Sequence, residues 1–545
     1  MRRVLHARIL LCSVALLLVS LFSVLIFRPD MLVGAAPSFT GVLTYHNNNM
    51  RTGQNSSETT LTLKNVNVNT FGKLFAIPTD GLVDAQPLYA PNINIPGNGT
   101  HNVLFVASEN DTVYGFDADN GSTLWQVTML SPGEGPSDDR RCGQVTPEIG
   151  VTSTPVIDLS AGPHGTIYVV AMSKDANSNY YQRLHALDIT SGAEQFGGPV
   201  TIAAQYPGTG ENSQDGYVIF DPKQYKERAG LLLLNHVVYT SWASHCDDQP
   251  YTGWIISYNQ TTLAQQSVLN VTPNGGEGAI WAAGAGLAAD SNGNIYFDDA
   301  NGTFDTTLNA NGFPINGDYG NAIVKLSTKK GQLAVADYFN MYNTVSESDA
   351  DEDLGSGGAM VIPNFKDSSH VMHELVVGAG KDSNIYLANR TNMGKFNPNN
   401  NDQIYQELSG ALAGSVYSAP AFADKSIYYG AVGDSIKAFS FNGNGLLNTT
   451  PASATGTQFG YPGASPSISG SSASKMILWA TENTSPAVLH AYSAKNLAVE
   501  LYNSNQAANG RDHFGNGNKF ITPTIANGKV YVGTTNGVGV LGLLP

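Results

Sequence analysis

Five carboxylates crowd into the seven residues from Glu347 to Asp353: Glu347, Asp349, Asp351, Glu352 and Asp353. Carboxylates this close can do two kinds of chemistry. They offer hard oxygen ligands to Ca²⁺, or they raise one another's pKa until one can act as a base near neutral pH. A solvated acidic loop explains the same spacing without either use. A second oxygen-rich stretch, Asp298, Asp299, Asn301 and Asp305, alternates donors along one turn. That also suits Ca²⁺, although the closing Glu of an EF-hand is missing, and Asx turns between strands are the plain alternative. His245-Cys246-Asp247-Asp248 has transition-metal ligands without the spacing of a zinc site, so an irregular loop is expected there. Gly284-Ala285-Gly286-Leu287-Ala288-Ala289 has dinucleotide spacing, but another strand follows it, so no helix N-terminus would meet a phosphate. Nucleophile-elbow, zincin and phosphate-loop patterns do not occur.

The elements that must position these residues are repeats. From Asn102, NVLFVASENDTVYGFDADNGSTLWQ reads as a β-branched and aromatic strand, a Gly/Asn/Asp turn and a second alternating strand. Looser copies begin near Gly165, His236, Gly293, Glu374, Lys425, Lys475 and Gly528. Each follows a short strand of small residues, such as Ser153-Thr154-Pro155-Val156 or Ser418-Ala419-Pro420-Ala421. Small residues suit an innermost strand crowded around an axis. Unit starts near 85, 153, 229, 284, 357, 418, 465 and 522 predict an all-β fold, an eight-bladed β-propeller of four-stranded blades. The last copy stops after its third strand at Leu543, while the strand-like segment Phe71 to Pro78 has no partner of its own. It is expected to supply the outer strand of the last blade, closing the ring and removing exposed sheet edges. Trp125, Trp242, Trp254 and Trp479 fall in strand patterns and are expected between blades.

Composition agrees. Only 13% of residues are charged, while Gly numbers 58 and Pro 26, which disfavours long solvent-facing helices. A hydrophobic content of 42% is ample for a core and argues against disorder. The net charge of −16 excludes the basic footprint of a nucleic-acid binder. Length alone, 545 residues, suggests three or four domains, but a closed ring makes residues 38–545 one domain.

Residues 1–37 have the grammar of export. Arg2, Arg3 and Arg8 precede an apolar run from Ile9 to Phe27, and Val33-Gly34-Ala35-Ala36 supplies small residues for a cut. The run is also long enough for an uncleaved membrane anchor through residues 9–27. Either outcome places the body outside the cytoplasm, secreted or tethered at the cell surface or in a periplasm. There Cys142 and Cys246, the two cysteines beyond the apolar run, could form one disulfide. No C-x-x-C occurs, so neither a zinc ribbon nor a covalent haem site is expected.

At the level of repeats, FDADNGSTLWQ from Phe116 and HALDITSGAEQF from His185 resemble the blade signature of the pyrroloquinoline-quinone (PQQ) repeat propellers. The resemblance covers residues from about 40 to 545. It implies the propeller fold and two functional classes, because the repeat builds both quinoprotein alcohol dehydrogenases and scaffolds that bind no quinone. Carried onto this chain, the dehydrogenase pattern makes Trp281 the floor under PQQ, Asn301 a Ca²⁺ ligand, Lys381 the basic residue beside the quinone, and Asp351 or Asp353 the base. Asp299 and Asp175 are the remaining metal-ligand candidates. The chain departs from the pattern at several places. The family's ligand Glu should fall near Lys174-Asp175, the adjacent cysteine pair is missing with Arg141-Cys142 the nearest feature, and no aromatic flanks the catalytic Asp position. These losses favour a non-catalytic module that binds a protein or small molecule at its funnel. A PQQ- and Ca²⁺-dependent dehydrogenase acting on an alcohol or sugar is the alternative, and no cofactor is assigned.

Overall fold

The computed structural model describes Phe39 and Gly41–Pro545; the expected leader or anchor lies outside the described residues. Residues Gly41–Pro545 form one compact unit. Among the described residues, eight sheets have four or more strands, and their pairings are antiparallel except where Gln54–Asn55 and Lys395–Phe396 add in parallel. The first contains Leu88–Ile95, Gly99–Ala107, Thr112–Asp117 and Thr123–Thr128. The last contains the short inner strand Thr524–Ala526, followed by Lys529–Thr534 and Gly537–Leu543. Its fourth strand is Phe71–Pro78, which pairs antiparallel with Gly537–Leu543 from Phe71 opposite Leu543 to Pro78 opposite Gly537. The N-terminal and C-terminal segments thus share one sheet, as the strand pattern predicts, and the fold is a β-propeller.

The repeat signature has a local physical cause. Asp117 Oδ1 accepts the backbone N–H groups of Asp119 and Asn120, which ties the turn, and Gly121 closes it at φ 79°. The same device recurs at Asp188 and Thr190, with Gly192 at φ 72°. A Cβ on Gly192 would stand 2.8 Å from the Trp125 ring, so this glycine serves both the turn and the packing of one sheet on the next. Trp125 donates from Nε1 to the Ile189 carbonyl across that junction. Trp242 and Trp254 are fully buried with Tyr168 and Tyr258 in one inter-sheet cluster, and Trp479 in another with Phe71 and Tyr502. The tryptophans expected between sheets are there.

The inner edges of all eight sheets are bound by one stretch, residues 42–58, which visits them in chain order. Val42 pairs with Tyr89, the Leu43 carbonyl accepts from Ile157, and Asn49 Nδ2 donates to the Leu233 carbonyl. The carbonyls of Asn49, Met50, Thr52 and Gly53 accept in turn from Ala289, Val361, Phe422 and Ile468. Asn55 Nδ2 donates to the Ile525 carbonyl, and Glu58 Oε2 accepts from the Gly528 N–H in the last sheet. At its centre Arg51, 0% exposed, donates to the carbonyls of Tyr45, Leu231 and Leu287 and to Thr44 Oγ1. Buried carbonyls and a buried guanidinium satisfy one another here without a carboxylate. The sequence pattern carried no signal for this segment, because it is no repeat and its one strand, Gln54–Asn55, is two residues long.

Candidate functional site

Two neighbouring cavities lie where chain segments enter the inner strands. The smaller, of about 40 Å³, is walled by Arg228, Trp281, Tyr417, Tyr461, Phe520 and Lys381. Four of these wall residues precede, each in its own repeat, the residue bound by the 42–58 segment: Arg228 before Leu231, Tyr417 before Phe422, Tyr461 before Ile468 and Phe520 before Ile525. The cavity therefore lies before the inner strands, and the N-terminal segment runs along them. The larger cavity, of about 620 Å³, is open and acidic, with Glu211, Glu277, Asn301, Asp349 and Asp351 in its wall. Asp247 borders both.

Five of the expected residues meet here. Trp281 and Lys381 line the small cavity with Asp353, and Asn301 and Asp351 line the large one. Asp353 links them. Its Oδ1 accepts the Asn301 backbone N–H at 2.6 Å, and its Oδ2 lies 2.6 Å from Lys381 Nζ. Lys381 Nζ also contacts Asp351 Oδ1 at 2.5 Å. Burial raises the Asp353 pKa to about 6 against the pull of Lys381 and the Asn301 N–H. Burial opposes the charge on Lys381, but the Asp353 and Asp351 carboxylates outweigh it and hold the ammonium above its ordinary range. Of the two base candidates, Asp351 is largely exposed, whereas Asp353 is buried with both oxygens engaged.

The expected Ca²⁺ donors do not assemble. Asp299 and Asp298 are fully buried with no hydrogen-bond partner on either carboxylate oxygen, and neither lines a cavity. Burial raises both pKa values above the ordinary carboxylate range. Asp305 accepts from Thr307 and Asn316 within its own loop. Asp175, the expected substitute for the missing Glu, caps an exposed turn through Asn177, Asn179 and Tyr181, and its neighbour Lys174 pairs with Asp138. Neither Asp299 nor Asp175 lines either cavity, a placement that residue spacing alone does not encode. The acidic run is likewise no simple loop: Thr344–Asp349 is a short helix with Glu347 buried. Among the described residues, no three His, Cys, Asp or Glu groups gather to hold a metal ion.

The structure adds residues that the sequence pattern did not single out. Lys226 Nζ lies 4.7 Å from the centroid of the Trp281 ring, a cation–π distance, and burial with Arg228 nearby lowers its pKa to about 7. The Arg228 guanidinium lies 4.7 Å from the Phe520 ring. Tyr461 meets Tyr417 and Phe520 edge to face, at centroid distances of 5.5 and 6.3 Å. One signal was available: Lys226-Glu227-Arg228 is a run of three charges shortly before the inner strand Leu232–Leu234, in a chain poor in charge. Cys142 and Cys246 form a disulfide. It anchors the loop that carries Asp247, so the His-Cys-Asp-Asp stretch is a bridged loop, with both ring nitrogens of His245 buried and unpartnered.

No protein-family model and no curated protein sequence matches this chain. Among solved structures, its fold is similar to quinohemoprotein alcohol dehydrogenase from Comamonas testosteroni, with a TM-score of 0.60 at 13% identity over 95% of this chain and 82% of that one. It is also similar to a quinohemoprotein alcohol dehydrogenase from Pseudomonas putida HK5, with a TM-score of 0.60 at 12% identity over 92% of this chain and 80% of that one. A europium-containing methanol dehydrogenase gives a TM-score of 0.58 at 12% identity over 92% of this chain and 98% of that one. These likenesses establish a quinoprotein-like propeller fold.

Proposed function

We propose that this chain is an exported, eight-bladed propeller that binds a ligand or partner through its axial cavities without catalysing a reaction. The basic, apolar and small-residue order of residues 1–37 supports export. The path of residues 42–58 along eight inner edges in chain order supports eight blades around one axis.

One observation carries the binding reading. The space beside Trp281, where the resemblance would seat PQQ, is about 40 Å³, against the roughly 300–1,000 Å³ of ordinary ligand pockets. Tyr417, Tyr461, Phe520 and Arg228 fill the remainder. A tricyclic quinone does not fit that space, and neither Asp299 nor Asp175, the further Ca²⁺ donors expected, lines it. No step through PQQ is therefore assigned. The meeting of Trp281, Asn301, Asp353 and Lys381 is what favours the second reading, a PQQ- and Ca²⁺-dependent dehydrogenase acting on an alcohol or sugar. Incubation of the protein with PQQ and Ca²⁺, followed by a dye-linked oxidation assay over a panel of alcohols and sugars, separates the two. The binding reading expects the rate of the protein-free control. Turnover that is lost in Asp353→Asn would establish the dehydrogenase instead.

A further inference from the structure

The larger cavity carries chemistry of its own. Its wall holds the carboxylates of Glu211, Asp247, Glu277, Asp349 and Asp351 and contains no Lys, Arg or His. Most of this charge is not neutralised by the protein. Among the described residues, Asp351 alone of the five forms an ion pair, with Lys381, which lies behind the wall in the smaller cavity. Glu211 accepts the Tyr251 N–H, Asp247 accepts from Tyr251 Oη and Ser244 Oγ, and Glu277 accepts from Gln249 Nε2. These neutral donors fix the carboxylates in place while leaving their charge. Burial and the neighbouring Asp247, Glu211 and Asp351 raise the Glu277 pKa, as like charges held together must.

Asn301 is an independent pointer. The residue is 5% exposed and belongs to the cavity wall, and its Oδ1, closed off from solvent just behind that wall, has no hydrogen-bond partner. A buried acceptor left open in this way costs about 1–3 kcal/mol, a cost that a ligand N–H would relieve. Phe304 and Val345 add apolar surface to the same wall. The carboxylates are spread around some 620 Å³ and do not converge on one point. A single metal ion cannot meet separated oxygens, whereas an extended molecule with several positive ends can.

We propose that the open acidic cavity binds an aliphatic polyamine, with ammonium groups on the spaced carboxylates, an N–H on Asn301 Oδ1 and methylenes against Phe304 and Val345. This rests on the binding reading above and names the ligand class for it. Each ammonium–carboxylate contact is a charge-assisted hydrogen bond, and the cavity's unbalanced negative field attracts a polycation.

The test is calorimetric titration of the full protein with spermidine, with Ca²⁺ and a lysine-rich peptide as separate arms. The expected result is one spermidine per chain, with affinity that falls as salt rises. Glu277→Gln and Asp349→Asn should each weaken it by about tenfold, and Asp175→Asn, on a distant turn, should leave it unchanged. Asp349 is a surface residue, so its variant reports even if Glu277→Gln fails to fold. The proposal is overturned if spermidine does not bind, if neither wall variant weakens it, or if Ca²⁺ or the peptide binds at this wall and spermidine does not. A PQQ titration in the same buffer reports on the binding reading separately: bound quinone would sink that reading whatever spermidine does.

Discussion

Lys381 Nζ stands 2.6 Å from Asp353 Oδ2 in a nearly closed site, with Lys381 15% and Asp353 5% exposed at the side chain. The pair holds together segments from two sheets, and Asn301 is tied to it through its backbone N–H. A buried carboxylate of this kind is stable only with its partner. Lys381→Met should destabilise the protein by about 3 kcal/mol at pH 8, because the charge left behind is uncompensated. Urea unfolding measures it, and the loss should shrink as the pH falls and Asp353 takes up a proton.

The same carboxylate sets a pH dependence. Its folded pKa of about 6 lies above the unfolded value of about 3.9, so the folded state binds the proton more tightly. The contribution of Asp353 is then fully present below about pH 4 and is lost as the pH rises through about 6. Other buried acids titrate too, so the relevant quantity is a difference. Stability profiles of the wild type and Asp353→Asn should diverge between those pH values and run parallel above them.

Lys226 works in the opposite sense. Burial first, and Arg228 second, lower its pKa to about 7, below the ordinary value of about 10.4. The folded state binds fewer protons than the unfolded one between these values, so the contribution of Lys226 improves as the pH rises through that window. Lys226→Met should raise stability at pH 7 by about 2 kcal/mol, since an apolar side chain replaces a buried charge. Because Lys226 Nζ faces the Trp281 ring, tryptophan emission should titrate with a midpoint near pH 7. That transition should vanish in both Lys226→Met and Trp281→Phe.

Arg51 should behave as a structural pin. Arg51→Met leaves the carbonyls of Leu231, Leu287 and Tyr45 without their donors, and the expected loss is about 3 kcal/mol in denaturant unfolding. A loss under about 0.5 kcal/mol, the scale of ordinary surface substitutions, would mean that the 42–58 segment does not hold the inner strands.

The disulfide closes a long loop, since Cys142 and Cys246 are 104 residues apart. Cross-links of that span stabilise by about 5 kcal/mol in the chain-entropy account. Paired Cys142→Ser and Cys246→Ser substitutions should lower the melting temperature. They should also weaken any ligand that uses Asp247, because the bridge anchors its loop.

The fold was legible because its cause is local and repeated. An Asp that caps a turn, a left-handed Gly and an aromatic residue that packs on the next sheet recur within about a dozen residues, as at Asp117, Gly121 and Trp125. The unpaired strand at Phe71–Pro78 was legible for the same reason. The site was legible only in part. Trp281, Asn301, Asp353 and Lys381, which the repeat-level resemblance singled out, come together around two adjoining cavities. Asp299 and Asp175 lie outside both cavities, Asp299 buried and Asp175 on its own exposed turn, and residue spacing does not encode that placement. The aromatic collar of Tyr417, Tyr461 and Phe520 comes from three separate repeats and meets only when the ring forms. Residues 42–58 have no periodicity, because their hydrogen bonds go to a different sheet every residue or two.

The central claim is that the space beside Trp281 is closed to a quinone, and calorimetric titration of the protein with PQQ in the presence of Ca²⁺ tests it most directly. No saturable heat is expected from the wild type, whereas a variant carrying Tyr461→Ala and Phe520→Ala should begin to take up the quinone. One PQQ bound per wild-type chain, with binding lost in Asn301→Ala and Lys381→Ala, would contradict the account and make this propeller a quinoprotein.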